Sequence, residues 1–157
     1  MSLDTLDNQQ ERLIKIGWIV GFVDGEGCFS VGLIKQSDRK DKDRIRRGYK
    51  TGYQPFHEFA VTQGEKSKYS LEILLNYFGV GNIYPNRRHD NHKETLYRYV
   101  VRKRVDLIDV IIPFFQKHNM RTAKQEDFKK FVQCVEIMKT GRHLTTDGMV
   151  EIAQIAS

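Results

Sequence analysis

Asp24 and Glu26 stand at the end of an apolar run, Ile19-Val20-Gly21-Phe22-Val23, and are interleaved with Gly25 and Gly27. Carboxylates suit hard divalent cations, which take oxygen donors from carboxylates, backbone carbonyls and phosphates. Such a cation can lower the pKa of a bound water and stabilise both the attacking and leaving oxygens of a phosphodiester. A strongly basic segment follows almost at once, so the acid lies beside a surface that attracts phosphate. These residue types point to metal-dependent chemistry on nucleic acid, with Glu26 as ligand to a divalent metal such as Mg2+. Asp24 suits a structural role better, accepting backbone N–H groups where helices meet.

The element that must carry these acids is a helix. Leu13, Ile14, Gly17, Val20, Gly21 and Asp24 recur at three- and four-residue steps, the spacing of one helical face. Asn8 with Glu11 is expected to cap its start, and Gly25 and Gly27 to stop it. Each interior glycine costs ~1 kcal/mol against alanine, a cost that close approach of a second helix would offset. One copy of the chain offers one such helix, so Gly17, Gly21, Trp18 and Val20 are expected to meet their own copies in a twofold dimer. Two copies of Glu26 would then lie near the axis, at the negative ends of two helix dipoles, where a cation relieves their repulsion. Trp18 packs either in that interface or in the core.

After the acids, Phe29, Val31 and Leu33 alternate with Ser30, Gly32 and polar neighbours, which predicts a half-buried strand over residues 28–36. A long, mobile hairpin loop is expected over 37–52 and a second strand over 53–63. A helix over 66–78 follows, with Gly79 as its stop, then strands over 82–88 and 95–104 joined by a polar turn. Helices over 105–117, 122–139 and 145–155 complete the chain. The order predicts an α+β fold, with a four-stranded antiparallel sheet and helices on one face. The other face would carry Ser30, Gln36, Gln54, Tyr84, Asn86, Arg88, Arg98 and Arg102, residue types that bond base edges and phosphates.

The 157 residues suit one domain, with a core over about 7–140 and a helical extension over 141–157. The net charge of +6 is unevenly spread. Residues 35–50 sum to +5, residues 87–104 also to +5, and the remainder to −4. Two basic segments on an acidic background favour a polyanion-binding face, to which Arg44, Arg46 and Arg47 would contribute. No apolar run reaches membrane-span length and the N-terminus lacks a signal-peptide pattern, so an intracellular, soluble protein with no membrane partner is expected. Cys28 and Cys134 read as two buried thiols rather than a disulfide or zinc site. His89-Asp90-Asn91-His92 reads as a polar turn contacting phosphate, and His57, His118 and His143 have no ligand spacing.

Residues 19–27 closely resemble the LAGLIDADG motif of homing endonucleases, and the helix–strand–strand repeat resembles that family's αββαββα core over about residues 7–139. The resemblance implies a saddle-shaped antiparallel sheet and, with one motif copy, a homodimer. It implies Mg2+-dependent hydrolysis of both strands of a long, pseudo-palindromic double-stranded DNA site by an intron-encoded enzyme. Mn2+ would substitute, and Ca2+ would bind without turnover. Glu26 falls on the family's metal-binding acid, and the Gly25 carbonyl on its helper. In Phe59-Ala60-Val61-Thr62-Gln63, Gln63 matches the residue that positions solvent. The basic residue matches Lys124, with Arg121, Lys66 and Lys68 as alternatives. An RNA-binding intron maturase and a non-catalytic DNA-binding protein are the other functions this fold would support.

Overall fold

In a computed structural model of the chain, residues 3–36, 39–41, 44–46, 48, 50–86 and 94–157 are described, those of 39–41 and 44–46 by their backbone alone. Helix α1 spans Leu3–Glu26, followed by strands β1 (Gly27–Lys35), β2 (Arg39–Asp41), β3 (Arg44–Arg46) and β4 (Tyr53–Gly64). A 3-10 turn, Glu65–Ser67, leads into α2 (Lys68–Phe78), then β5 (Asn82–Asn86) and β6 (Leu96–Val101). Helix α3 (Arg104–Asp106) runs through a π turn, Leu107–Ile111, into α4 (Ile112–Lys117). Helices α5 (Lys124–Lys139) and α6 (Thr146–Ala156) follow, separated by a 3-10 turn, Arg142–Leu144. The architecture is mixed helix and antiparallel sheet, as expected, with a four-stranded sheet in the order β1-β4-β6-β5.

Two compact units divide the chain, one of Met1–Cys28 with Phe59–Gln125, the other of Phe29–Glu58 with Glu126–Ser157. In the first, α1 buries Ile16, Ile19 and Val23, spaced as one helical face. The centre is aromatic. Phe59 is fully buried and meets Phe78 of α2 at 6.5 Å, Tyr99 of β6 at 6.2 Å and Phe115 of α4 at 5.8 Å between ring centroids. Tyr99 satisfies its buried hydroxyl by donating to the Val80 carbonyl at 2.7 Å. Phe59, Val61, Tyr99 and Val101 therefore define the helix-covered face of β4 and β6, and alternation puts Thr62 and Arg98 on the other.

The second unit has its own core. Cys134, Ile137 and Met138 of α5 pack with Met149 and Ile152 of α6, and Val31, Leu33 and Ile155 lie against them. Phe29 meets Phe128 and Phe131 at 5.1 and 5.4 Å. The 141–157 segment thus contributes to a core rather than only extending one.

Three sequence expectations change. Helix α1 is already formed at Leu3, so Asn8 and Glu11 lie inside it and do not cap its start. No glycine or proline interrupts residues 3–16, and nothing there stops the helix. The 37–52 loop is replaced in part by a paired ribbon, with Arg39 opposite Arg46 and Asp41 opposite Arg44. Backbone pairing needs no apolar side chain, and the charge pattern concealed it. Cys28 is exposed, because β1 turns Phe29 inward and its neighbour outward; Cys134 alone is buried as expected.

Candidate nuclease site

Helix α1 delivers its acids at its C-terminal end, where a helix's last carbonyls lack partners within the helix. Contrary to expectation, Gly25 does not stop it: the helix runs through Gly25 and ends at Glu26, with Gly27 the stop. A side chain at Gly27 would collide with Val23, at 2.7 Å from its methyl and 2.8 Å from its carbonyl oxygen. Glycine is therefore what lets the chain leave the helix there and enter β1. Gly25 and Glu26 are exposed, whereas Asp24 is half-buried.

Asp24 faces the start of α5. Its carboxylate accepts from Arg121 N at 2.9 Å, from Thr122 N at 3.2 Å to each oxygen, and from the Thr122 hydroxyl at 2.5 Å. Desolvation pushes this carboxyl's pKa up. The Thr122 and Arg121 bonds and the nearby Lys124 charge outweigh that and hold it below its ordinary value of 3.8. This is the structural role expected of Asp24.

Lys124 is brought to the same corner. Its ammonium donates to the carbonyl of Gly27, one residue beyond Glu26, and its backbone N–H donates to Thr122 Oγ1 at 3.2 Å. The alternatives lie otherwise. Arg121 is exposed and reaches Asp24 through its backbone N–H. Lys66 bonds Glu94 through its own backbone N–H at 3.0 Å. Lys68 stacks its ammonium over the Tyr97 ring, 4.7 Å from the centroid.

Gln63 lies on the helix-covered face of β4, opposite Tyr97. It is placed by register, one residue before Gly64, over which the Glu94 carboxylate closes. Thr122 and Glu94 were not singled out from the sequence. Thr122 had a signal: Thr122-Ala123-Lys124-Gln125 is a capping-box pattern. Gln125 does accept a backbone N–H, but from Met120 at 3.0 Å. Glu94 had none, since its role depends on a partner 28 residues away.

The outward stripe of α1 is bare. Ile14 is 72% exposed, Leu13 66% and Trp18 41%, the last stacked on Phe22 at 4.9 Å. A Cβ added at Gly17, Gly21 or Gly25 meets nothing within 4 Å among the described residues. Packing among the described residues therefore does not explain the glycines, and Trp18 is not a core residue. Val20 is half-buried on the flank.

In the first unit the polar sheet face is a registered row. Thr62, Arg98 and Tyr84 sit side by side, with Asn86 opposite Leu96 in the next row. Tyr84, Asn86, Arg98 and Arg102 line an open recess of about 290 Å³ with Val100. In the second unit Ser30 is half-buried, and the Gln36 and Gln54 side-chain amides bond each other, while Gln36 N donates to Gly52 O at 2.9 Å. Backbone of Arg44 and Arg46 lies in β3. Arg47, Arg88 and the 89–92 turn lie outside the described residues.

The donor set at the end of α1 is all oxygen, the Glu26 carboxylate and backbone carbonyls, which fits Mg2+ or Ca2+ rather than a soft metal. No group of three or more His, Cys, Asp or Glu assembles as a metal cage among the described residues. A cation here would need oxygens from outside the chain. Among the described residues no helix is long and apolar enough to cross a membrane.

The sequence profile of the LAGLIDADG endonuclease family matches residues 19–135. The chain is 34% identical over 130 residues to an uncharacterised 50.9 kDa protein in ND4 intron 1 of Podospora anserina, covering 82% of this chain and 25% of that protein. Among solved structures it resembles the homing endonuclease I-TnaI, at 38% identity and a TM-score of 0.72, over 90% of this chain and 84% of that one. It also resembles I-SmaMI bound to an uncleaved DNA target in the presence of calcium ions, at 32% identity and a TM-score of 0.71, over 88% and 42% of the two chains. The chain spans about a quarter of the length of the first curated relatives it matches.

Proposed function

This chain belongs to the LAGLIDADG endonuclease family, and on that premise we propose that it is an intron-encoded, site-specific DNA endonuclease. It acts as a homodimer on both strands of a long pseudo-palindromic site and depends on Mg2+. The observation that carries the reading is the corner where Lys124 bonds the turn holding Glu26, at the exposed end of α1.

Glu26 and the Gly25 carbonyl would hold the ion, with DNA phosphate oxygens and the partner's copy of the same corner supplying the rest. When bound, the ion supplies Lewis-acid stabilisation and a more acidic water. Lys124 would bring positive charge to the phosphate through its ammonium, and Gln63 would orient solvent from the end of β4. The bare stripe of α1 supports the dimer: glycines with open space above them let a second helix approach closely, burying Ile14 and Trp18. Mn2+ would replace Mg2+, and Ca2+ would hold DNA without turnover. The DNA- and calcium-bound relative supports that partner and ion class.

The row Thr62–Arg98–Tyr84 with Asn86 and Arg102 offers donors and acceptors for base edges in the major groove, flanked by arginines for phosphate. Ser30, Gln36 and Gln54 would extend this reading, the glutamines as a bonded pair. The ND4-intron relative supports an intron location for the coding sequence. The test is incubation with Mg2+ and DNA carrying the intron-less insertion site. Double-strand breaks are expected, and tight binding with no cleavage would reject the enzyme.

A further inference from the structure

Asp24 and Lys124 are tied to one another through Thr122. The Thr122 hydroxyl has a single proton, and its 2.5 Å bond gives that proton to Asp24 Oδ1. The oxygen's lone pair is then left to accept the Lys124 backbone N–H. Asp24 also accepts the backbone N–H groups of Arg121 and Thr122, so both of its oxygens face the start of α5. The same corner is closed a second time by the Lys124 ammonium on the Gly27 carbonyl.

We infer that Asp24 and Thr122 are positioning residues for Lys124, fixing where its ammonium meets the Glu26 turn. The inference rests on the reading of Lys124 as the basic residue of the nuclease. A lysine ammonium sits at the end of a flexible four-carbon stem, so its reach is set by where its backbone is held. Asp24 holds that backbone from the helix that carries Glu26, and the distance between acid and base is then a property of one hydrogen-bonded loop. Displacement of a reacting group by about 1 Å costs on the order of a hundredfold in rate. The motif's first acid thus serves its second through a threonine 98 residues away, without touching metal or DNA.

The experiment compares Thr122→Ser, Thr122→Val and Asp24→Asn with the wild type by two readouts on the whole chain. The first is the 13C–1H spectrum of lysine ε-methylenes, with the Lys124 signal assigned by its loss in Lys124→Arg. The second is the single-turnover cleavage rate with saturating enzyme, alongside DNA affinity. Thr122→Ser keeps the hydroxyl and should retain both the Lys124 signal and the rate. Thr122→Val should move that signal to the position of solvated lysines and slow cleavage about ten- to hundredfold, with DNA affinity unchanged. Asp24→Asn should act in the same direction, and it serves alone if valine prevents folding. A Lys124 signal unmoved in a folded Thr122→Val or Asp24→Asn overturns the inference, as does a moved signal with an unaltered rate. A wild type that cuts no DNA yet shows the signal change rejects the nuclease reading and leaves the positioning intact.

Discussion

The ammonium of Lys124 donates to the backbone carbonyl of Gly27, the residue that follows Glu26. A side chain at the start of α5 is thereby fixed to the backbone just beyond Glu26. Charge placed on this carbonyl rather than on the Glu26 carboxylate would leave both carboxylate oxygens for the cation proposed there, and the lysine close to a phosphate bound to it.

The bare face of α1 predicts how a side chain would act there. Because a Cβ at Gly21 meets nothing within 4 Å among the described residues, Gly21→Leu should leave the subunit folded and raise its helix propensity by up to ~1 kcal/mol. Between two closely packed helices the same side chain overpacks, at ~1–3 kcal/mol, or about tenfold or more in dimer dissociation. Sedimentation velocity against concentration measures this. An unchanged dimer would place the interface elsewhere.

Acid should release the Asp24 clamp. Its folded pKa lies below 3.8, so its contribution to stability is complete above that value and disappears as pH falls through the folded pKa. The gap in Tm between wild type and Asp24→Asn should therefore be constant well above 3.8 and should close as pH falls through the depressed folded value. A gap that persists in acid would mean that the bonds to Arg121 and Thr122 do not depend on the charge.

The two cysteines should separate chemically. Burial, with the charge of Glu151, pushes the Cys134 thiol up to about 11, whereas Cys28 is exposed on β1. Less thiolate and no access leave Cys134 inert at neutral pH. A disulfide reagent at pH 8 should modify one thiol per native chain, mapped to Cys28 by peptide mass, and two after denaturation. Rapid reaction of Cys134 in the native chain would contradict the second unit's core.

Much of the fold was legible because it rests on short-range pattern. The alternation in Phe29-Ser30-Val31 marks a strand with one buried face, and Gly79 does end its helix, in a left-handed turn. The bounds of α1 were not legible, since a polar N-terminal half carries no burial signal to mark its start. The β2–β3 ribbon was hidden for a related reason: its sequence is charged and carries no alternation of apolar and polar residues. At the site, the link between Glu26 and Lys124 was reachable only through the family resemblance. Periodicity says nothing of contacts 97 residues apart. The clamp by Thr122 was written in the Thr-x-x-Gln pattern, but its partner on α1 was not.

Glu26 is where metal, phosphate and the partner subunit converge in this account, and one comparison tests it most directly. Wild type and Glu26→Gln are each incubated with Mg2+ and the intron-less target, and double-strand breaks and DNA affinity are measured together. The wild type should cut both strands. The variant, isosteric but uncharged, should lose more than about a hundredfold in cleavage rate while binding the same DNA with unchanged affinity. Cleavage by Glu26→Gln at the wild-type rate, or loss of binding in step with cleavage, would contradict a catalytic Glu26.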